Sequence, residues 1–536
     1  MPYLAGDTFT MIRREKLFLY LRIFLFIVYF VNGVICIRWN WLVSDETDHL
    51  SYGLRMLKGQ PQKIFPYDDA STMPISAINA LPRAIEQSMK PGLVKNDGGV
   101  RDALNGRYMT LLVCMLIGVF IYKWSRELWG EEGGLLSLFL FVFCPNLIAN
   151  STVVGTDTFA ALFTLTSAYY FYRFLRFSGW RAFVLFSINL GLALISKQSL
   201  MLLPLIYAIV ALGVLLKRRR LFSGLKLNIA RFFVLSVIVL LIINMAFLFN
   251  GTGKSLTAYQ FRSEPFLNLQ QVKFLNNAPL PLPAPFIEGL DLVRHMISLG
   301  SGHEKVSMKS YLFGSYFTGN DRWYYYSVVT IFKTPLSVLI LLFAVIFAYI
   351  KRIRSHAAFI STGLPLFIAF FFFFFISFNN TSQHGLRHLM MIYPLFYVCI
   401  GQVMQWKFSR KKIATGILVL YSLATFYSYF PNLVPYTNEL LWNKSKVYKV
   451  FASANIDYGQ TWKCIDEYLK SHPGVRQATS TPATGRLLVN INDFVGLRDT
   501  NEFAWLRKFR PVTHVAHTHL LFEITGEDLR QAGLKQ

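Results

Sequence analysis

Long apolar runs separated by short polar turns dominate the chain. Runs of spanning length recur at 17–38, 107–124, 133–150, 157–175, 180–197, 199–216, 229–250, 327–350, 357–378, 388–406 and 413–430. Each holds about 20 residues with few charges, the length an α-helix needs to cross the hydrocarbon core of a bilayer. The pattern predicts an all-α polytopic membrane protein with eleven spanning helices. Three longer, more polar segments interrupt it, at 40–105, at 251–326 and from 431 to the end. In the first, 74–90 reads as an amphipathic helix suited to lie flat on a membrane surface. In the second, Pro279, Pro281, Pro283 and Pro285 alternate with apolar residues and predict stiff, extended chain. The tail joins a helical stretch near 462–470 to strand-like runs at 485–492 and 519–524, and predicts a small α/β module. The domain division is therefore 1–430 for the membrane part, with outer loops 40–105 and 251–326, and 431–536 for an extracytoplasmic C-terminal domain.

Composition agrees. Of 536 residues, 54% are hydrophobic, 16% aromatic and only 15% charged, against about 25% charged in an ordinary soluble domain. This argues against a disordered, collagenous or soluble chain. The net charge of +25 raises nucleic acid as a partner, but the positions of the cations remove that need. Every second connection is basic: Arg13, Arg14 and Lys16; Lys123 and Arg126; Arg173, Arg176 and Arg181; Lys217, Arg218, Arg219 and Arg220 with Lys226 and Arg231; Lys351, Arg352 and Arg354; Lys407, Arg410, Lys411 and Lys412. On the other side, 150–156 holds no Lys or Arg and 381–387 only Arg387. The positive-inside rule then places the N-terminus in the cytoplasm and, after an odd number of crossings, the C-terminus outside. No nucleic-acid partner is expected.

The cysteines Cys36, Cys114, Cys144, Cys399 and Cys464 form no CxxC pair, so neither a zinc site nor a disulfide framework is supported. The first apolar run is too long for a signal peptide and lacks a small-residue cleavage site, so it reads as an uncleaved first helix.

Ionisable residues in or beside a bilayer are costly and mark candidate sites. Those on the outer side are Asp45 and Glu46, with Asp48 and His49 close behind; Asp157 at the head of the fourth run; Lys197 between the fifth and sixth; Lys333 inside the eighth; and Arg387 and His388 at the tenth, with His384 just before. Each has a plainer reading taken alone. Asp157 suits a helix N-terminus, Lys197 could snorkel to headgroups, Arg387 could anchor at the interface, and Asp45-Glu46 could be a solvated loop start. Their convergence on one face is the stronger signal. No GxxxxGK[ST] or GxGxxG cradle is present, which argues against nucleotide-driven chemistry. Acids with cations at a membrane face suit a lipid-phosphate substrate: the cations neutralise phosphate, and a carboxylate deprotonates an attacking hydroxyl. No motif requires a cofactor; the acids leave a divalent metal open, though no His/Cys cluster selects one.

These residues resemble a known family. The acidic pair Asp45-Glu46 after the first helix, the segment 144–150 leading to Thr156-Asp157, Trp323-Tyr324-Tyr325-Tyr326 running to Lys333-Thr334-Pro335, Gly385-Leu386-Arg387-His388 through Pro394, and Tyr436-Thr437-Asn438-Glu439 followed by 455–460 are similar to motifs of GT-C membrane glycosyltransferases. The likeness is to the protein O-mannosyltransferase branch and its bacterial relatives, which include the aminoarabinose transferases. It implies a polyprenyl-phosphate-linked sugar donor, a protein, lipid or glycan acceptor, and an active site at the outer face of a bacterial inner membrane. It implies Asp45 as catalytic base, with Glu46 orienting it and Asp157 positioning the acceptor. Arg387 and Lys333, with Lys197 and His388, would hold the donor phosphate. The chain departs from the pattern at Ser71-Thr72-Met73-Pro74, where relatives often carry His-Pro-Pro, and at Ser453-Ala454 and Tyr458. It shows no insertion at 251–326 that would hold the MIR module of the eukaryotic enzymes. A lipid-linked sugar transporter is the alternative, although the hydropathy pattern shows no internal repeat.

Overall fold

The computed structural model describes all residues except 1–2, 65–70, 90–98, 218–224, 274–275, 300–309, 318–320, 381–382, 384, 408, 498 and 535–536. Arg218, Arg219, Arg220 and His384 therefore lie outside the described residues. The membrane part comprises α1 (Tyr3–Trp39), α2 (Glu46–Leu57), α3 (Ser76–Met89), α4 (Val100–Val142), α5 (Pro145–Ser151), α6 (Asp157–Phe177), α7 (Trp180–Leu194), α8 (Leu202–Lys217) and α9 (Leu225–Ala246). After α10 (Glu264–Gln270), α11 (Ala284–Ser298) and the hairpin β1–β2 (Ser310–Leu312, Ser315–Phe317) come α12 (Tyr325–Lys333), α13 (Leu336–Ile350), α14 (His356–Ala358), α15 (Leu364–Asn379), α16 (Tyr393–Ile400) and α17 (Lys411–Tyr427).

All eleven apolar runs are helical, but they do not make eleven equal spans. Among the described residues, six helices are long and apolar enough to cross a membrane, or seven if the bent pair α12–α13 counts as one; Trp180–Leu194 and Ile413–Tyr427 are shorter apolar helices. The run 107–124 and the first part of 133–150 are arms of one 43-residue helix, α4, broken at Gly130 (φ 75°), a conformation that favours glycine; the rest of 133–150 falls in α5. On the two sides of the break, a Cβ on Gly401 would lie 2.1 Å from Ser125 Oγ and 2.8 Å from Ser137 Oγ. Small residues there let the helices approach closely, as is usual between membrane helices. Large apolar residues on the outer helices, such as Phe232, Phe233, Ile340, Phe343, Phe347 and Leu420, are exposed and suit a lipid environment. The core lies around α4, α6 and α16, with Trp124, Tyr169, Tyr393 and Tyr397 fully buried.

Pro335 bends α12 against α13 by 115°, because proline cannot continue the helical hydrogen-bond ladder. The carbonyls freed at the bend are taken up from elsewhere. Asn438 Nδ2 donates to Ile331 O (2.6 Å) and Thr334 O (2.8 Å), and Asn146 Nδ2 donates to Lys333 O (2.6 Å).

In the outer segments, α3 packs on α2 so closely that a Cβ on Gly53 would lie 2.4 Å from Ser76 O. It still exposes Ile78, Leu81, Ile85 and Met89 along one face. The proline-rich stretch is extended at first, with Gly253 N bonded to Leu280 O (2.9 Å), but turns helical at Ala284, earlier than its prolines suggest. The reason is that proline is well suited to the first turn of a helix, where its missing N–H costs nothing. The tail holds α18 (Trp462–Ser471) and four strands, β3 (Val475–Gln477), β4 (Gly485–Asn490), β5 (Thr513–Val515) and β6 (His519–Ile524). Their order is β3-β4-β6-β5, with only β3–β4 parallel. Side chains alternate across the sheet: Leu488 and Leu521 pack with Ile465 of α18, while Leu487, Val489, Leu520 and Phe522 join the main core. The sheet is thus a lid layer fused to the helical body.

Candidate functional site

The site begins where α1 ends. The chain leaves α1 at Trp39, turns through 40–44, and starts α2 at Glu46. Both oxygens of Glu46 are bonded twice: Oε1 accepts from Arg107 Nε (2.7 Å) and Val154 N (2.8 Å), Oε2 from Arg107 Nη2 (2.5 Å) and Val43 N (2.9 Å). Arg107, from α4, also donates to the carbonyls of Asn40 (2.8 Å), Trp41 (2.6 Å) and Ile37 (3.3 Å). Glu46 is 0% and Arg107 1% exposed, so this is a fully desolvated, bidentate pair. It fastens the Asp45 turn to the loop that precedes Asp157.

That fastening brings Asp45 and Asp157 to one small open pocket, lined also by His49, Asn150, Thr158, Gly155, Arg387 and Tyr458. Each acid meets a cation. Arg387 Nη1 pairs with Asp45 Oδ2, and Lys197 Nζ with Asp157 Oδ1. Ser44 Oγ donates to the other oxygen of Asp45 (3.1 Å). The Arg387 guanidinium, beside Asp45, holds that carboxyl well below the usual carboxylate range. Burial pushes the His49 imidazole down to about 4, although Asp45 and Asp157 oppose the shift. Burial also pushes the Tyr458 phenol up, and the Arg387 guanidinium lies over that ring at 5.9 Å.

Arg387 is aimed by a turn that needs glycine. Gly385 has φ 110°, and a Cβ there would lie 3.3 Å from Asn455 Oδ1. That same oxygen accepts from Leu386 N (3.2 Å), while Asn455 Nδ2 donates to Tyr325 OH (2.8 Å). Three motifs far apart in sequence therefore position one guanidinium.

Of the expected site residues, Asp45, Asp157 and Arg387 line the pocket, and Lys197 stands beside it as the ion-pair partner of Asp157. Glu46 lies behind it, with all its bonds made to protein. Lys333 is elsewhere: it is 2% exposed, and its ammonium donates to the carbonyls of Val434 (2.8 Å) and Asn455. Its charge is met in place by these two carbonyls of the segment after α17, and it does not line the pocket. His388 is half-buried, its ring edge-on to Tyr326 at 6.5 Å, and does not line the pocket. Arg107 was missed; a lone arginine opening an apolar run on the cation-poor side was the available signal. Lys63 was also missed. Its ammonium lies over the Tyr52 ring at 4.1 Å and donates to Thr72 O (2.5 Å) and Thr72 Oγ1 (3.0 Å), and its charge contributes to the depression at His49.

Among the described residues no group of three or more His, Cys, Asp or Glu could hold a metal ion. The two pocket acids already face cations, so the donor set does not fit a divalent ion.

Residues 99–245 match the family model described as dolichyl-phosphate-mannose-protein mannosyltransferase. No curated protein matches the chain. Among solved structures, the chain is similar to ArnT from Cupriavidus metallidurans bound to undecaprenyl phosphate (12% identity over 81% of this chain and 69% of that one, TM-score 0.46). It is similar to the same protein in the apo state (13%, 79% and 65%, TM-score 0.43). It is also similar to the archaeal oligosaccharyltransferase AglB from Archaeoglobus fulgidus, in complex with an inhibitory peptide and a dolichol-phosphate (10%, 91% and 72%, TM-score 0.42). The family match covers the stretch that carries Arg107, Asn150, Asp157 and Lys197.

Proposed function

We propose that the protein transfers a sugar from a polyprenyl-phosphate donor to a hydroxyl of a protein, lipid or glycan acceptor, by inverting single displacement. The observation that supports this most is that the two acids lining one pocket, Asp45 and Asp157, are each paired with a cation, Arg387 and Lys197. In this reading eleven helices cross a bacterial inner membrane, with the N-terminus cytoplasmic and the pocket and C-terminal module outside. Asp45 takes the proton of the acceptor hydroxyl as its oxygen attacks the anomeric carbon. The bond from that carbon to the phosphate oxygen breaks, and its electron pair leaves on the phosphate. Arg387 and Lys197 stabilise that charge, which makes a general acid unnecessary. Asp157 holds Lys197 and faces the acceptor, while Glu46 and Arg107 keep the Asp45 turn in place.

Asp45→Asn should abolish transfer while leaving membrane insertion and folding intact, since no buried bond is lost. Normal turnover of a polyprenyl-phosphate sugar by that variant would sink the assignment.

A further inference from the structure

Both pocket acids are already paired. Arg387, in the lining, holds Asp45, and Lys197, beside the pocket, holds Asp157, so the two acids and two cations cancel. The pairs are not buried like Glu46–Arg107: the side chains of Asp45 and Arg387 are 40% and 28% exposed, and both open onto the pocket. Among the described residues that line the pocket, a phosphate that entered with the pairs intact would meet two carboxylates and one cation, Arg387, already paired. Taking the cations from the acids removes that conflict.

We propose that the Arg387–Asp45 and Lys197–Asp157 pairs are place-holders that the donor's phosphate displaces, so that donor binding is the event that releases Asp45 to act as base. This rests on the donor reading above. The geometry allows the exchange at Asp45. Only Oδ2 is held by Arg387, while Oδ1 accepts from Ser44 Oγ. The carboxylate can therefore stay in position through Oδ1 as Oδ2 is released toward an acceptor hydroxyl. Before the exchange Asp45 is a poor base, because the guanidinium stabilises its ionised form. The protein would thus hold its base inactive until a donor is in place, and donor would bind before acceptor is deprotonated.

The proposal has an unusual sign. An acid that competes with phosphate for a cation weakens phosphate binding, so neutralising it should tighten binding even as transfer is lost. The test measures binding of undecaprenyl phosphate to the purified full-length protein in nanodiscs, with undecaprenol as the uncharged control. Asp45→Asn and, independently, Asp157→Asn should each bind the phosphate roughly 5- to 20-fold tighter than wild type, and Arg387→Ala at least about 10-fold more weakly. Two aspartate variants guard against one of them misfolding, and each is accepted only if its unfolding temperature matches wild type. Equal or weaker binding by the folded aspartate variants, with wild type still preferring the phosphate over undecaprenol, overturns the place-holder proposal and leaves the donor reading standing. Absence of that preference in wild type overturns the donor reading and the proposal with it.

Discussion

Replacing Arg107 by methionine isolates the interaction on which the pocket is built. The substitution keeps an apolar side chain of similar length in the core but leaves the Glu46 carboxylate, 0% exposed, without its countercharge. Breaking a buried ion pair from one side costs about 3–5 kcal/mol. Three further bonds to the carbonyls of Ile37, Asn40 and Trp41 are lost, so the upper part of that range is expected. Glu46→Gln leaves the guanidinium uncompensated instead and should cost a similar amount. The double variant buries no charge, so it should be more stable than the sum of the singles by about 2–3 kcal/mol. The assay is unfolding in mixed micelles titrated with sodium dodecyl sulfate, followed by tryptophan fluorescence, for all four members of the cycle. Singles within about 1 kcal/mol of wild type, or a double variant additive to within about 0.5 kcal/mol, would refute the claim that this pair fastens the two loops.

Other consequences follow from the same geometry. Gly53→Ala puts a Cβ against the Ser76 carbonyl of the α2–α3 contact, and overpacking of this kind costs about 1–3 kcal/mol; unfolding at wild-type denaturant would contradict it. Gly385→Ala forces a left-handed φ on a residue with a side chain and crowds Asn455, so Arg387 should be misdirected. Polyprenyl-phosphate affinity should fall with little change in global stability, and unchanged affinity would dissociate the turn from Arg387. Burial pushes His49 down to about 4, His519 to about 4 and His517 to about 3, against about 6.5 for an unfolded imidazole. The unfolded state therefore takes up protons first, and stability present at neutral pH should fall as pH drops from about 6.5 to about 4. His49→Gln should remove roughly a third of that fall in a pH series of unfolding midpoints, and an unaltered profile would exclude His49 as a contributor.

The helical body was legible because each segment solves the same local problem. A run of apolar residues in lipid must satisfy its backbone internally, and a helix is the available solution. The joints were less legible, since they depend on single residues acting against the pattern. Gly130 joins two runs into one broken helix, and Pro335 bends a third by 115°. Hydropathy windows average over both. In the tail, β4 and β6 were visible as short apolar, strand-like runs, whereas β3 and β5 were not, being three residues each and defined by what they pair with. The extended proline stretch gave way to α11 because Pro283 and Pro285 sit at the start of a helix, where proline is tolerated.

The site divides along a physical line that a sequence does not draw. An ionisable group in or near a membrane needs compensation, but that can come from the protein's own dipoles and countercharges or from a ligand. Lys333, Glu46 and Arg107 are compensated wholly from within, by backbone carbonyls and by one another, and each is almost fully buried. Asp45, Asp157, Lys197 and Arg387 are compensated in pairs that remain open to a pocket. The first group shows no need of a substrate; the second exchanges partners when one arrives. Position in the sequence marked all of them except Arg107 equally as expensive. Access to the pocket separates them, and it is access that makes an ion pair replaceable and its acid a candidate base.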